Sequence, residues 1–142
     1  MQTKTDMLID LALDEDAAFG DVTSQSIFPE DHSSKAQIVA RQDMIICGLD
    51  IAKSVFLRLD PGLEVDLEVN EGEQVASGSV VLRIEGSTIS LLTAERTALN
   101  FLQRLSGIAT LSRQFADEAA KAGTGVRIVD TRKTTPGWRA LE

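Results

Sequence analysis

The chain has 142 residues with 14 Lys and Arg against 22 Asp and Glu and one His, a formal net charge of −8. That length fits one domain and at most a small second one, and a chain this size buries roughly 70% of its extended surface, enough to fold without a disulfide or metal. A composition of 43% apolar and 25% charged residues excludes a disordered chain, a single cysteine (Cys47) excludes a disulfide framework or cysteine-only metal site, and the short apolar runs exclude a bilayer-crossing segment.

The start, Met-Gln-Thr-Lys-Thr-Asp, lacks the basic-then-apolar pattern of a secretory signal, so a cytoplasmic compartment is expected. Met7, Leu8, Leu11 and Ala12 recur at helical spacing and predict a short amphipathic helix from about Thr3 to Asp14. Asp14 to Ser24 reads as a loop, and Pro29 and Ser33-Ser34 continue the irregular stretch. Strands are expected around Ala36–Ala40 and Met44–Cys47. A helix over Ile51–Leu59 follows, with Asp50 as its N-cap, and Asp60-Pro61-Gly62 ends it. Leu63, Val65, Leu67 and Val69 alternate strictly with Glu64, Asp66, Glu68 and Asn70, which predicts a strand with one buried and one acidic face. Val80–Glu85 predicts another. After Gly86-Ser87 the period changes to that of helix, with Ala98, Leu102, Leu105 and Ala109 on one stripe and Phe101, Ile108, Phe115 and Ala119 on a second. A break is expected near Ser106-Gly107. Val126–Val129 predicts a short final strand that runs into Asp130-Thr131-Arg132-Lys133-Thr134-Thr135-Pro136-Gly137. The expected class is α+β, an antiparallel sheet with helices.

The charge is uneven along this order. Residues 1–86 hold 17 acids and 6 bases, whereas residues 87–142 hold 5 acids and 8 bases. A basic last third on an acidic chain hints at anion handling there, though ordinary variation in surface charge between helices and strands is the simpler reading of the asymmetry alone. Arg132 and Lys133, just past a buried strand, sit where α/β folds place ligand-binding groups. The Arg fork suits a carboxylate or phosphate, Lys adds a mobile point charge, and the Thr131 and Thr134 hydroxyls could join them. An anion site and a solvated loop remain equally open from spacing. Arg96 and Arg104 lie on the long helical pattern, where a surface charge is the simpler reading. His32 reads as an exposed loop residue, so no histidine triad or zinc site can be built. Cys47 reads as core rather than nucleophile, and Glu64, Asp66 and Glu68 as a solvated face rather than a metal site.

Three stretches together resemble the quinolinate phosphoribosyltransferase family, also called nicotinate-nucleotide pyrophosphorylase (carboxylating). They are Gly20-Asp21-Val22-Thr23-Ser24, the long run from Thr93 through Arg96 to Thr110, and Asp130 to Gly137. The resemblance implies conversion of quinolinate and phosphoribosyl diphosphate, with magnesium, to nicotinate mononucleotide, diphosphate and carbon dioxide in NAD synthesis. It implies an N-terminal α/β sandwich over residues 1–106. Residues 107–142 would then be a linking helix and the start of a phosphoribosyltransferase α/β barrel, with Val126–Val129 as the first strand of that incomplete barrel. By the same resemblance Thr131, Arg132 and Lys133 contact substrate, and Arg96 reaches a quinolinate carboxylate in a site shared across a homodimer. Relatives continue well beyond Glu142, and their magnesium ligands are absent from this chain, so it is expected to be inactive alone. Neither nucleic acid nor membrane is an expected partner.

Three other readings are weighed: a molybdenum-transport-associated paralogue of the same fold, a biotinyl/lipoyl-like carrier, and a non-catalytic dimerisation module. The carrier reading rests on Val69–Glu85 and fails because no lysine lies between Lys53 and Lys121.

Overall fold

The computed structural model describes residues 2–17, 20–123 and 125–142. Helix α1 spans Lys4–Ala17, α2 Val22–Ile27, α3 Leu49–Leu59 and α4 Thr88–Lys121. Strands β1 (Ser33–Val39), β3 (Glu64–Leu67) and β5 (Val80–Ser87) form an antiparallel sheet in the order β1-β5-β3. Strands β2 (Met44–Ile45) and β4 (Gln74–Val75) form a separate antiparallel pair. The α+β class is as the sequence predicts.

Sheet register follows the alternation of side chains. Val65 and Leu67 pair with Ile84 and Leu82 of β5, so those residues share one face. Leu82 and Ile84 are buried. The other face carries Lys35, Glu64, Asp66, Arg83 and Glu85, with Lys35 bonded to Glu85 at 2.7 Å and Arg83 to Glu68 at 3.0 Å. A period-two pattern of this kind buries one face and wets the other. The acidic strand stops at Leu67, two residues before its alternation does.

The core lies between the sheet, α3 and α4. Phe56, Val55 and Ala52 of α3 pack with Ala94, Ala98, Phe101 and Leu102 of α4. Ala94 and Ala98 are fully buried, and their small side chains let the helices approach closely. Helix α1 joins through Ile9 and Leu13 and through the two-bond pairing of Arg58 with Asp10, at 2.6 and 2.7 Å.

Several boundaries differ from the expected ones. Helix α1 continues to Ala17, through the acids assigned to a loop. Asp21 caps α2 by accepting from the Ser24 amide at 3.0 Å. Ala18 and Phe19, also in that expected loop, lie outside the described residues. The N-cap of α3 is Gly48, not Asp50, and the Glu71 carboxylate accepts from the amides of Gly48 and Leu49 in place of a local cap. Gly48 has φ +97°, and a Cβ there would come within 2.8 Å of Leu105. That combination demands glycine.

Helix α4 is unbroken through Ser106-Gly107. Its hydroxyls tie it there to the neighbouring stretch of chain. Ser106 Oγ accepts from the Cys47 amide at 3.0 Å, and Thr110 Oγ1 accepts from the Ile45 amide at 2.9 Å. The two hydroxyls, one turn apart, pair with the edge of β2 that β4 leaves open.

The expected strand over Val126–Val129 does not form. Residues 125–131 carry no sheet pairing, and Val126, Ile128 and Val129 are 58%, 49% and 74% exposed. A strand needs a neighbour to take up its amides and carbonyls, and none of the described residues supplies one.

Candidate functional site

Arg96 projects from the first half of α4 toward α1. Its guanidinium bonds Asp16 at 3.0 Å, and the Arg96 side chain is 74% exposed while that of Asp16 is 24% exposed. The two sit at a cleft of about 290 Å³ that Asp21, Thr23 and Thr93 also line. The Ser24 hydroxyl and amide hold the Asp21 carboxyl below the usual carboxylate range, so it is anionic at neutral pH. An anion entering this cleft meets one cation already held by an acid. To use Arg96 it must share the guanidinium with Asp16 or displace it.

Thr131, Arg132 and Lys133 lie on an exposed loop after α4. The Lys133 amide donates to Thr131 Oγ1 at 3.2 Å, which bends the backbone locally. Arg139 reaches the Arg132 carbonyl at 3.4 Å. Among the described residues no carboxylate lies within ion-pair distance of Arg132 or Lys133. Their charges are therefore available to an incoming anion in a way that the charge of Arg96 is not. Among the described residues, nothing bonds Arg96 to this loop, so within one chain the structure does not bring the two expected halves of the site together.

The arginine that does meet the loop segment is Arg104. Its Nε donates to Glu142 at 3.0 Å and its Nη2 to Thr135 Oγ1 at 2.5 Å. Glu142 also accepts from the Thr135 amide at 3.0 Å. The Thr135 amide, the Arg104 guanidinium and the Thr135 hydroxyl, in falling order, hold the Glu142 carboxyl below its ordinary value. Trp138 stacks on Phe101 at 4.9 Å, and Arg104 lies 5.3 Å over the indole. Sequence reasoning noted Arg104 but missed Thr135, Trp138 and Glu142. The only sequence signal was a lone Trp in a polar tail.

The remaining candidates resolve simply. His32 is exposed, as expected, and its Nδ1 lies 2.7 Å from the buried Thr88 hydroxyl at the start of α4. Cys47 is half-buried, and burial together with the neighbouring Glu71 carboxylate pushes its thiol up, the reverse of what a nucleophilic cysteine needs. Glu64, Asp66 and Glu68 are exposed, and among the described residues no group of three His, Cys, Asp or Glu could hold a metal. No described helix is long and apolar enough to cross a membrane.

Comparison with known proteins matches two adjoining parts of the chain. Residues 21–106 match the quinolinate phosphoribosyl transferase N-terminal domain, and residues 108–142 match the C-terminal domain of the same family. A quinolinate phosphoribosyltransferase (decarboxylating) 2a from Nicotiana tabacum, named mitochondrial, is 42% identical over 136 residues, which is 95% of this chain and 38% of that protein. A probable nicotinate-nucleotide pyrophosphorylase (carboxylating) from Bacillus subtilis is 44% identical over 130 residues, 90% of this chain and 43% of that protein. The crystal structure of NadC from Streptococcus pyogenes superposes with a TM-score of 0.88 at 35% identity, covering 97% of this chain and 48% of that one. That of nicotinate-nucleotide pyrophosphorylase from Ehrlichia chaffeensis gives 0.88 at 37% identity, covering 99% and 51%. The chain thus spans about two fifths of the length of the curated relatives it matches. With the family's two domains matched in order and the fold superposing on its solved members, this chain belongs to the quinolinate phosphoribosyl transferase family.

Proposed function

We propose that this chain contributes substrate-binding residues to a quinolinate phosphoribosyltransferase, which joins quinolinate to phosphoribosyl diphosphate and releases nicotinate mononucleotide, diphosphate and carbon dioxide. One observation carries the reading beyond family membership: Arg132 and Lys133 stand exposed on a loop that Thr131 shapes, with no carboxylate partner among the described residues. Both substrates are polyanions. A guanidinium fork and an ammonium group suit them, and positioned cations stabilise charge that develops as diphosphate departs and as decarboxylation leaves an electron pair on the ring. In this reading Thr131, Arg132 and Lys133 bind and orient substrate. Arg96 takes a quinolinate carboxylate in the site of a partner subunit within a homodimer. The support for that assignment is negative in kind: Arg96 bonds Asp16 rather than its own chain's loop.

Residues 1–106 are read as the N-terminal sandwich domain, and residues 107–142 as the linking helix and the opening of the barrel. Diphosphate chemistry calls for magnesium. The described residues offer no suitable set of ligands for it. The chain by itself is read as inactive. Its compartment is read as cytoplasmic, which suits the single unpaired Cys47, although relatives in Nicotiana tabacum and rice are named mitochondrial and chloroplastic.

Titration of the isotopically labelled chain with quinolinate tests the site. Amide shifts at Arg132 and Lys133 that vanish in an Arg132→Ala, Lys133→Ala double variant are expected. Their absence at millimolar ligand would remove the loop from the site. Incubation with quinolinate, phosphoribosyl diphosphate and magnesium should yield no nicotinate mononucleotide, and steady turnover by the chain alone would overturn the reading of it as inactive.

A further inference from the structure

We propose that Arg104 is a positioning residue for the substrate loop: with Glu142, Thr135 and Trp138 it clamps the segment bearing Thr131, Arg132 and Lys133 onto α4. The proposal rests on the reading of that loop as substrate-binding.

Residues 125–133 are all exposed and pair with no sheet, so nothing in their own stretch fixes their course. Their anchorage comes from just downstream. Trp138 and Leu141 pack against the core, Trp138 lying on Phe101 at 4.9 Å. Phe101 and Arg104 are three residues apart on α4, hence neighbours on one helix face. Arg104 closes the clamp from above, its guanidinium 5.3 Å over the indole and bonded to both Glu142 and Thr135. Glu142 in turn accepts from the amide and hydroxyl of Thr135, at 3.0 and 2.9 Å, which closes residues 135–142 into a small ring. Arg139, inside that ring, reaches back to the Arg132 carbonyl at 3.4 Å. The chain of contacts runs from α4 through Glu142 and Thr135 to the backbone beside Lys133. A guanidinium is needed because the same group must span two oxygen partners in its plane and offer its face to a ring; an ammonium can satisfy only part of that.

The clamp is testable on the chain as it stands. Trp138 is the sole Trp and there is no Tyr, so emission excited at the indole band reports this contact alone. Arg104→Gln should red-shift Trp138 emission and speed tryptic cleavage after Arg132 and Lys133 about tenfold. Cleavage after Arg127, upstream of the Arg132 carbonyl that Arg139 holds, should be unchanged, and so should the far-UV spectrum. Arg104→Lys should fall between the two. Unchanged emission and cleavage in Arg104→Gln would overturn the proposal. If Arg104→Gln disturbs the fold, Glu142→Gln removes the same ion pair from the tail side and serves in its place. A quinolinate titration keeps the two readings apart. Weaker loop shifts in Arg104→Gln than in the unsubstituted chain extend the clamp to ligand binding. An unsubstituted chain that never responds to quinolinate sinks the substrate reading while the emission and cleavage results still decide the clamp.

Discussion

The two halves of α4 both carry an apolar stripe and meet different fates. In the first half Leu91, Ala94, Ala98, Phe101, Leu102 and Leu105 are all at most 5% exposed. In the second half Leu111 and Phe115 continue the apolar stripe and are 55% and 57% exposed. Periodicity therefore identifies which face of a helix wants cover. It does not say whether cover is present, because that depends on segments distant in the chain.

The contrast is most directly tested by truncating a phenylalanine in each half. Phe101→Ala should cost about 3–5 kcal/mol, since it empties a filled core position, whereas Phe115→Ala should stay within about 0.5 kcal/mol. Urea unfolding measures both, and comparable losses would break the distinction. Glycines sharpen it next. Gly48→Ala forces a side chain into positive φ against Leu105 and should cost about 1–3 kcal/mol. Gly107→Ala, with open space around it on a helix, should instead stabilise by about 0.5–1 kcal/mol. A matched destabilisation at Gly107 would mean that the helix needs its flexibility there.

Smaller effects probe where the buried half is tied down. Ser106→Ala and Thr110→Val should each cost about 1 kcal/mol. Hydrogen exchange at the Cys47 and Ile45 amides should quicken accordingly, while amides of residues 111–121 exchange fast in every variant. The smallest expected effect is a response to acid. The Glu142 carboxyl lies below its ordinary value, so the folded tail favours the ionised form. Its contribution is complete above about pH 4.3, the usual glutamate value, and is lost as pH falls through the lowered one. Trp138 emission should be flat above that point and shift below it, and Glu142→Gln should flatten the whole profile.

Much of the fold was legible because its elements are long or strictly patterned. The alternation from Leu63 places β3 within two residues, and the switch of period after Ser87 marks the start of α4. Helix α2 was not legible, since six residues are too few to show a stripe, although Asp21 followed by Ser24 is the capping signal that forms it. The α3 cap was missed for a different reason: Glu71 is 22 residues away in sequence. Val126–Val129 looks like a strand by composition and is not one, because pairing is a property of two segments. At the site, Arg132 and Lys133 were found as a charge pair beside turn residues. Their anchorage at Arg104 was hidden, since it depends on a ring closed by Glu142.

Helix α4 runs 34 residues without interruption, a rod of about 51 Å, and the two family matches meet inside it rather than in a loop. Its residue count therefore acts as a gear. One residue inserted between Arg96 and Arg104 would turn everything beyond by about 100°, carrying Arg104 and the Ser106–Thr110 pair away from the tail and β2 while Arg96 stayed facing α1. A loop of the same length would absorb that insertion, whereas here the number of residues between the two arginines is as constrained as the arginines themselves.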